Sequence, residues 1–226
     1  MISVIIPALN EEKYISKCIE GVKSQAFKDY EVIIVDGKSS DKTIEVIKKI
    51  SNYKVIISDK RNAPYQRNLG AKYAKGDFLI FTDADTILSP NAFYEINKLL
   101  KENQNVAGGS ITGIFEPIDF KVRLLNCINP FVQKTLSLTY AYCIFARKSV
   151  FESINGFKDC VCEDSELGER MKKYGKVKIL FNCSYISSSR RFKKIGFYFS
   201  IWTWVIEYFK NKFGIHTPLD SYALAR

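Results

Sequence analysis

Short β-branched runs alternate with amphipathic helical patterns through the first 110 residues, and this alternation restricts the fold more than any other feature of the sequence. Such continuous apolar runs are typical of strands that are buried on both faces of a sheet. They occupy residues 2–6, 31–35, 55–57 and 78–81. Helical patterns occupy residues 11–24, 43–50 and 62–74 between them. Strand–helix repeats of this length predict an α/β fold with a Rossmann-like, mostly parallel central sheet flanked by helices.

The remainder of the chain is less regular. A helix is expected to about residue 102, followed by a strand at 106–115, helices at 120–138 and 149–154, and an extended segment at 141–147. No internal repeat, low-complexity tract or linker is evident, and the composition changes only near residue 187.

Polar residues follow three of the predicted strands, in segments 7–11, 36–40 and 82–86. Ligands of open parallel sheets bind beyond the carboxyl ends of the strands, so these three segments are expected to converge on one crevice. Asp36 ends the second strand and is a candidate to accept hydrogen bonds from a base or ribose. The alternative is a turn before the next helix with Asp41 as its N-cap, and both interpretations can hold together.

The chain is basic, with 34 Lys and Arg against 24 Asp and Glu and a formal net charge of +10. Half of this excess lies in residues 187–226, which contain seven basic and two acidic side chains. A surplus of this size favours anionic partners, such as nucleotide phosphates, an acidic membrane surface or nucleic acid.

Several classes of protein are disfavoured by residues that the sequence lacks. A GxGxxG pattern does not follow the first strand, and no GxxxxGK[ST] pattern occurs, which argues against dinucleotide oxidoreductases and P-loop hydrolases. Six cysteines without a CxxC pair do not suggest a disulfide scaffold or a zinc site. The CxC formed by Cys160 and Cys162 is assigned no chemistry. With His216 as the single histidine, any metal must be held mainly by oxygen ligands.

An acidic pair, Asp83 and Asp85, follows the apolar strand at residues 78–81. On an extended segment, one carboxylate can face a divalent cation while the other faces a ribose or water, and Mg²⁺ and Mn²⁺ prefer such ligands. For an isolated DxD a polar turn is the better interpretation, but its position at a strand end favours a metal site.

Four ordered segments then resemble the inverting nucleotide-sugar glycosyltransferases of family 2, which have a GT-A type fold. The segments are VIIPALNEEKYI, EVIIVDGKSSDKT, APYQRNLGAKYAKGDFLIFTDADT and CEDSELGERMKKYG. The resemblance covers about the first 190 residues. It implies transfer of one sugar from a UDP- or GDP-sugar, with Mn²⁺ or Mg²⁺ as cofactor. The QxxRW motif of processive synthases is absent, and Leu9 replaces a base-stacking tyrosine of some relatives, which leaves the base open.

The resemblance also implies roles for individual residues. Asp85 would bind the metal with help from Asp83. The nucleotide and donor would be bound by Pro7, Ala8, Asn10, Glu11, Asp36 and Arg67.

Glu163 and Asp164 form the second acidic pair. Inverting transfer needs a carboxylate that takes the proton of the acceptor hydroxyl, and the resemblance gives this role to Asp164 with Glu163 as its supporting neighbour. The alternative is the acidic first turn of a helix, and the DxD context favours the base. Arg190 and Arg191 are expected to reach the diphosphate from a flexible loop, or else to form a solvated basic face.

Residues 188–226 are predicted to be a basic, aromatic helical segment appended to a glycosyltransferase domain at 1–187. In a helix, residues 196–214 would carry one narrow polar stripe and a broad apolar face with Trp202 and Phe209. The apolar run is too short to cross a bilayer but suits a helix that lies on an anionic membrane; packing on the sheet or on a second subunit is the alternative.

The sequence therefore predicts a metal-dependent inverting glycosyltransferase with a lipid-linked acceptor. Without an evident secretory signal, we expect it in the cytoplasm, peripheral at the inner face of the cell membrane. Its rivals are a sugar nucleotidyltransferase and a non-catalytic basic protein that binds membrane or nucleic acid through its tail. Nucleic acid is the weakest of the anionic partners.

Overall fold

Four parallel strands form the amino-terminal half of the sheet. In the computed structural model, which describes residues 1–140 and 142–219, they are β1 (Ile2–Ala8), β2 (Tyr30–Asp36), β3 (Lys54–Ile57) and β4 (Phe78–Phe81). β1 lies between β2 and β4, with Ile5 opposite both Ile33 and Phe81, and β3 pairs with β2 at the edge. Every residue of β1 and β4 is buried, as their continuous apolar runs predict.

The second half of the sheet is mixed. It contains β5 (Thr86–Leu88), β6 (Val106–Glu116), β7 (Ile144–Arg147) and β8 (Lys176–Ser188). Over the described residues the strand order is β3-β2-β1-β4-β7-β6-β8-β5. β7 runs antiparallel to both β4 and β6, β8 runs parallel to β6, and β5 runs antiparallel to β8. The predicted α/β class is confirmed, with its parallel pairing concentrated in the first half.

Helices cover both faces of the sheet and extend beyond β8. They are α1 (Ile15–Lys23), α2 (Thr43–Ile50), α3 (Ala63–Tyr73), α4 (Ala92–Glu102), α5 (Phe120–Leu136), α6 (Lys148–Ser153), α7 (Glu163–Met171), α8 (Arg190–Ile195) and α9 (Phe197–Lys212). α3 begins as predicted, because the Asn62 side chain accepts a hydrogen bond from the Tyr65 backbone N–H and Pro64 lies in the first turn.

Two apolar clusters, one on each face, hold α1–α4, α6 and α7 to the sheet, and a third cluster packs α5, α8 and α9 around Phe115 of β6. On one face Val4 and Ile6 of β1 belong to a cluster that also contains Ile19 of α1 and Phe93 of α4. On the other, Ile5 packs with residues of α3, α6 and α7. Because successive side chains of β1 point to opposite faces, this single strand contributes to both clusters.

Several predicted boundaries are wrong for identifiable reasons. Residues 11–14 form turns before α1 rather than its first turn. β3 is partly exposed, since it is an edge strand. β5 and β8 were not predicted: β5 has three residues, and β8 mixes lysines and serines with apolar residues. Asp41 does cap α2, but from one residue outside its N-cap position, by accepting from the Thr43 backbone N–H.

Within the described ranges, none of the helices combines the length and the apolar character that crossing a bilayer requires. Of the predicted carboxy-terminal segment, residues 188–219 are described, and Asp220 and Arg226 of the charge count lie outside.

Candidate active site

The expected crevice lies at the carboxyl ends of β1, β2 and β4. Ala8 is opposite Asp36 in the parallel register, and the Gly37 backbone N–H donates to the Ala8 carbonyl over 2.8 Å. Asn10 adopts a left-handed conformation with φ 56°, and its side-chain oxygen accepts from the Ser40 backbone N–H over 2.8 Å. The first two loops predicted to bind nucleotide are therefore joined to each other.

Asp36 is fully buried at the end of β2. Its carboxylate accepts from the Ser39 backbone N–H over 2.8 Å and from the Ser39 hydroxyl over 2.5 Å. Asp36 is not among the residues that line the cavity at this end of the sheet, whereas Pro7, Ala8, Asn10 and Glu11 are. Its assignment to a base or ribose remains a prediction.

Asp83 and Asp85 lie in a turn between β4 and β5, and not on an extended segment as the sequence suggested. The turn arises because the Thr86 backbone N–H donates to the Asp83 carbonyl over 3.1 Å. Both carboxylates nevertheless line the cavity, just beyond the buried strand β4.

Arg67 joins the two acidic pairs. Its guanidinium is 3% exposed and donates to Asp83 and to Glu163, each over 2.7 Å. The two carboxylates raise the pKa of Arg67, although burial alone would lower it. Because both terminal nitrogens are engaged, Arg67 connects the DxD turn to the start of α7 in this structure.

Arg190 makes a second link in the cavity, between Glu11 and Asp85. It donates to both carboxylate oxygens of Glu11, lies 3.2 Å from an oxygen of Asp85, and stacks over the ring of Tyr14 at 4.5 Å. Arg190 is the first residue of α8 rather than part of a loop, since β8 continues almost directly into this helix. The Glu11 contact spans almost the whole sequence, so no local pattern could reveal it.

Two acidic groups at this end, Asp85 and Glu11, have raised pKa values and hold their protons more tightly than free carboxylic acids. Burial raises the pKa of Asp85 to about 7, and the negative charge of Asp83 adds to the effect while Arg190 opposes it. Burial also raises the pKa of Glu11, again against the opposing effect of Arg190. Replacement of a proton by a divalent cation would relieve the cost of these buried charges.

The carboxylates of Asp83 and Asp85 fit a hard divalent cation that shares its coordination with phosphate oxygens. Mg²⁺ commonly takes one or two protein carboxylates and completes its shell with phosphates and water. Among the residues described, no group of three or more His, Cys, Asp or Glu side chains is arranged to hold a metal by itself. A metal here would depend on a bound diphosphate for its remaining ligands.

Glu163 and Asp164 open α7, as the alternative interpretation of this pair required, and both line the same cavity as the DxD turn. The Asp164 carbonyl accepts from the Thr139 hydroxyl over 2.6 Å, and its carboxylate accepts from the Ser165 backbone N–H over 2.7 Å. Tyr140, which the sequence did not single out, lies nearby. Burial and the charge of Asp164 raise the pKa of the Tyr140 hydroxyl, which donates a hydrogen bond to the Asn129 side chain of α5.

One continuous cavity of about 1340 Å³ contains these groups. Its walls include Pro7, Ala8, Asn10, Glu11, Arg67, Asp83, Asp85, Glu163, Asp164, Arg190 and Arg191. The same cavity extends between α5 and α9, where its walls are apolar. The sequence did not predict the contribution of α5, although its exposed apolar residues Phe120, Leu124 and Ile128 recur every four positions.

Three residues that could have had chemical roles, His216, Cys160 and Cys162, are given none. His216 contacts Lys158 and Asn211, each at 3.0 Å, away from the acidic turn. Cys160 is buried, and burial raises the pKa of its thiol to about 12. Burial likewise raises the pKa of Cys162 well above its usual value, so neither thiol is activated as a nucleophile.

Comparison with known sequences gives consistent matches. The chain is 39% identical over 129 residues to the dolichyl N-acetyl-alpha-D-glucosaminyl phosphate 3-beta-D-2,3-diacetamido-2,3-dideoxy-beta-D-glucuronosyltransferase of Methanococcus voltae, covering 52% of this chain and 40% of that protein. It is 34% identical over 111 residues to the poly(ribitol-phosphate) beta-N-acetylglucosaminyltransferase TarP of Staphylococcus aureus, covering 46% and 34%. The matches thus span less than half the length of either relative.

Solved structures share the fold at low sequence identity. S. aureus TarS 1–349 in complex with UDP-GlcNAc matches with a TM-score of 0.66 and 20% identity, over 84% of this chain and 58% of that one. The mannosyltransferase PcManGT from Pyrobaculum calidifontis, in complex with GDP-Man and Mn²⁺, matches with a TM-score of 0.67 and 17% identity, over 82% and 56%. The predicted GT-A type fold is confirmed.

The family itself follows from the amino-terminal two thirds of the chain. Residues 3–155 match the model of glycosyl transferase family 2, a segment that contains the DxD turn, Arg67 and nearly all of β1–β4. The chain belongs to glycosyl transferase family 2.

Proposed function

We propose that this chain is a metal-dependent inverting glycosyltransferase, which moves one sugar from a UDP- or GDP-sugar to a hydroxyl of a lipid-linked acceptor. The observation that carries the proposal is the meeting of two acidic pairs in one cavity. Asp83, Asp85, Glu163 and Asp164 all line it, and Arg67 bonds to one member of each pair.

The donor would lie along the loops after β1 and β2. Pro7, Ala8, Asn10 and Glu11 line the cavity there, and Asp36 anchors the neighbouring loop through Ser39. Structures of similar fold are complexes with UDP-GlcNAc or GDP-Man, which supports a nucleotide-sugar donor of either type.

Asp85, with Asp83, would hold Mn²⁺ or Mg²⁺ against the donor diphosphate. When bound, the ion neutralises charge that develops on the departing diphosphate. Arg190 and Arg191 both line the cavity, and we assign them to the diphosphate as well. Arg190 already lies beside Asp85, so it needs only to exchange a carboxylate partner for a phosphate oxygen.

Asp164 would act as the general base. Its carboxylate takes the proton of the acceptor hydroxyl as that oxygen forms a bond to the anomeric carbon. The bond between the anomeric carbon and the diphosphate oxygen breaks on the opposite face, so the nucleoside diphosphate leaves and the configuration inverts. Glu163 would support this geometry through its ion pair with Arg67.

A lipid-linked acceptor fits the surface around the cavity. The M. voltae relative is named for a dolichyl N-acetyl-alpha-D-glucosaminyl phosphate substrate. On α9, Tyr198 and Trp202 are 71% and 66% exposed, and basic residues flank the helix. Aromatic side chains beside positive charge suit an anionic membrane surface, so we place the protein at the inner face of the cell membrane.

A transfer screen tests the proposed reaction. UDP- and GDP-sugars are each incubated with Mn²⁺ or Mg²⁺ and sugars linked to polyprenyl phosphate, and the product anomer is read by NMR. We expect metal-dependent release of nucleoside diphosphate and a product of inverted configuration. Formation of a nucleoside triphosphate and a sugar 1-phosphate when pyrophosphate is supplied in place of the acceptor would instead indicate a sugar nucleotidyltransferase, and no turnover with any donor would favour the non-catalytic alternative.

A flotation assay tests the membrane placement separately. We expect the protein to float with anionic vesicles at low salt and to remain behind when Trp202 is changed to Glu. The matched control is Tyr94→Glu on α4, which is 49% exposed but lies on another part of the surface. Equal flotation of both variants and the unchanged protein would contradict the placement.

A further inference from the structure

Helices α5 and α9 bury mostly polar residues and expose many large apolar ones, whereas an ordinary surface helix does the reverse. On α9 the buried residues are Ser200, Thr203, Glu207 and Asn211. On α5 they are Val122, Asn129 and Gln133. Many apolar residues of both helices are exposed, including Phe120 at 81% and Phe131 at 72% on α5. A monomeric soluble protein rarely leaves such a continuous apolar surface uncovered.

Hydrogen bonds from the buried polar residues fix this orientation. The Gln133 side chain donates to the Ile111 carbonyl of β6 over 3.2 Å. The Asn211 side chain donates to the Val161 carbonyl before α7 over 3.0 Å. Rotation of either helix to bury its apolar face would break these bonds, so the exposed apolar faces belong to the folded state.

The two helices also form the apolar extension of the catalytic cavity. Leu125, Ile128, Val132 and Leu136 contribute from α5, and Ile201, Trp204, Val205, Tyr208 and Phe209 contribute from α9. Ligand pockets commonly measure about 300–1,000 Å³. At about 1340 Å³, the cavity has room for more than a nucleotide-sugar.

Two positively charged residues of α8, Arg191 and Lys194, line this cavity. Among the residues described, neither Arg191 nor Lys194 has a carboxylate within salt-bridge distance, in contrast to Arg67 and Arg190. Arg191 and Lys194 line the same cavity as Glu163 and Asp164 at the start of α7. The charge of Arg191 also acts on the Cys162 thiol, whose pKa it lowers against the larger effect of burial. A phosphate that enters from the apolar side would meet these cations within the cavity that Asp164 lines.

We infer that the groove between α5 and α9 binds the hydrocarbon chain of an acceptor in which a sugar is linked to a lipid phosphate. The acceptor phosphate would lie at Lys194 and at Arg191, which it would share with the donor diphosphate. The inference rests on the proposed function and adds to it the site that holds the acceptor. The apolar walls account for the hydrocarbon chain, and the two cations account for the phosphate. The continuous cavity allows a hydroxyl of the sugar on that phosphate to reach Asp164.

Fluorescence of Trp204 tests this binding without donor or turnover. The chain has two tryptophans, so Trp202→Phe leaves Trp204 as the only one, on the groove wall. Titration of this variant with farnesyl phosphate should change the emission in a saturable way. Inorganic phosphate should not change it, and farnesol should bind more weakly. Equal affinity for farnesol and farnesyl phosphate would overturn the assignment of the two cations.

Groove variants are then compared in the same background. Val205→Glu and Ile128→Glu place charge on the groove wall at half-exposed positions that tolerate polar side chains, and each should weaken binding of farnesyl phosphate by about tenfold or more. Phe213→Glu is the matched control, since this residue follows α9, is 78% exposed and lies outside the groove. Unchanged affinity in both groove variants, or no saturable response, would overturn the inference.

Binding of nucleotide-sugar to the same preparation separates this inference from the proposed function. If UDP- or GDP-sugar binds with Mn²⁺ while farnesyl phosphate does not, the groove assignment fails and the proposed reaction stands. If farnesyl phosphate binds while no nucleotide-sugar does, the groove assignment is supported and the proposed reaction fails.

Discussion

The two halves of the cavity wall differ in the kind of side chain that they bury. On the donor side, around β1, β2 and β4, apolar residues are buried and the charges of Arg67, Asp83 and Glu163 are paired with one another. On the side of α5 and α9, polar residues such as Gln133 are buried and large apolar residues are exposed. The first arrangement stabilises the fold, whereas the second leaves large apolar side chains available to a partner.

This difference separates two kinds of sequence change. Substitutions among the paired charges should alter stability and chemistry together, because the same contacts serve both. Substitutions on the exposed apolar faces should alter binding but leave the fold almost unaffected. Variants of each kind test this separation.

Loss of the proposed base should have the largest effect. Asp164→Asn keeps the shape of the side chain but cannot take a proton, so turnover should fall by about 10³-fold while affinity for the donor stays within about twofold. Glu169→Gln is the matched control on the same helix, because Glu169 pairs only with Lys172 among the described residues. Steady-state kinetics of both variants measure the loss of turnover. Near-normal turnover in Asp164→Asn would exclude Asp164 as the general base.

Removal of the charge of Arg67 should have the next largest effect. Arg67→Met leaves the carboxylates of Asp83 and Glu163 without their partner in a buried setting, which should lower the free energy of unfolding by about 3–5 kcal/mol. Lys172→Met, which breaks an exposed pair, should cost less than about 1 kcal/mol. Urea unfolding measures both. A loss below that of the control variant would show that Arg67 does not hold the two acidic pairs together.

The raised pKa of Asp85 predicts a smaller, pH-dependent effect. The folded protein keeps this proton up to about pH 7, whereas an unfolded chain loses it near pH 4, so the unchanged protein should lose stability as pH rises through this interval. Asp85→Asn removes the titration. The stability of this variant relative to the unchanged protein should therefore rise by about 2 kcal/mol between pH 5 and pH 8.

Urea unfolding in a chelating buffer measures this difference across the pH range. The chelator removes metal ions, which would otherwise favour the ionised form of Asp85. Parallel stability profiles for the two proteins would mean that Asp85 titrates near its usual pKa.

The exposed apolar faces should give the smallest effect on stability. Phe131→Glu and Trp202→Glu replace side chains that are 72% and 66% exposed, and each should change the free energy of unfolding by less than about 0.5 kcal/mol. Phe81→Ala, at a fully buried position on the donor side, should cost about 3–5 kcal/mol. A large loss in either surface variant would show that these faces stabilise the fold rather than serve a partner.

The donor side of the molecule was predictable because its signals are local. β1, β2 and β4 are continuous apolar runs, and the start of α3 is marked by Asn62 and Pro64, two positions apart. The polar segments after the strands converge because parallel strands end at one edge, which follows from topology alone.

The side of α5, α8 and α9 was not predictable, because it is formed by contacts between distant parts of the chain. Glu11 and Arg190 are close only because β8 returns beside β6 and leads into α8, and β8 itself has no regular apolar pattern. The apolar face of α9 was predicted from its own sequence and is exposed, but its alignment with α5 across the cavity could not be read from either helix alone.

The central claim is that the acidic turn at Asp83 and Asp85 binds a metal together with a nucleotide-sugar. Calorimetric titration of UDP-GlcNAc and GDP-Man, with Mn²⁺ or with chelator, tests it most directly when the unchanged protein is compared with Asp85→Asn. We predict saturable binding of one donor that weakens by about tenfold or more when Mn²⁺ is removed or Asp85 is changed. Donor binding that is indifferent to both changes, or absent with Mn²⁺ present, would contradict the account.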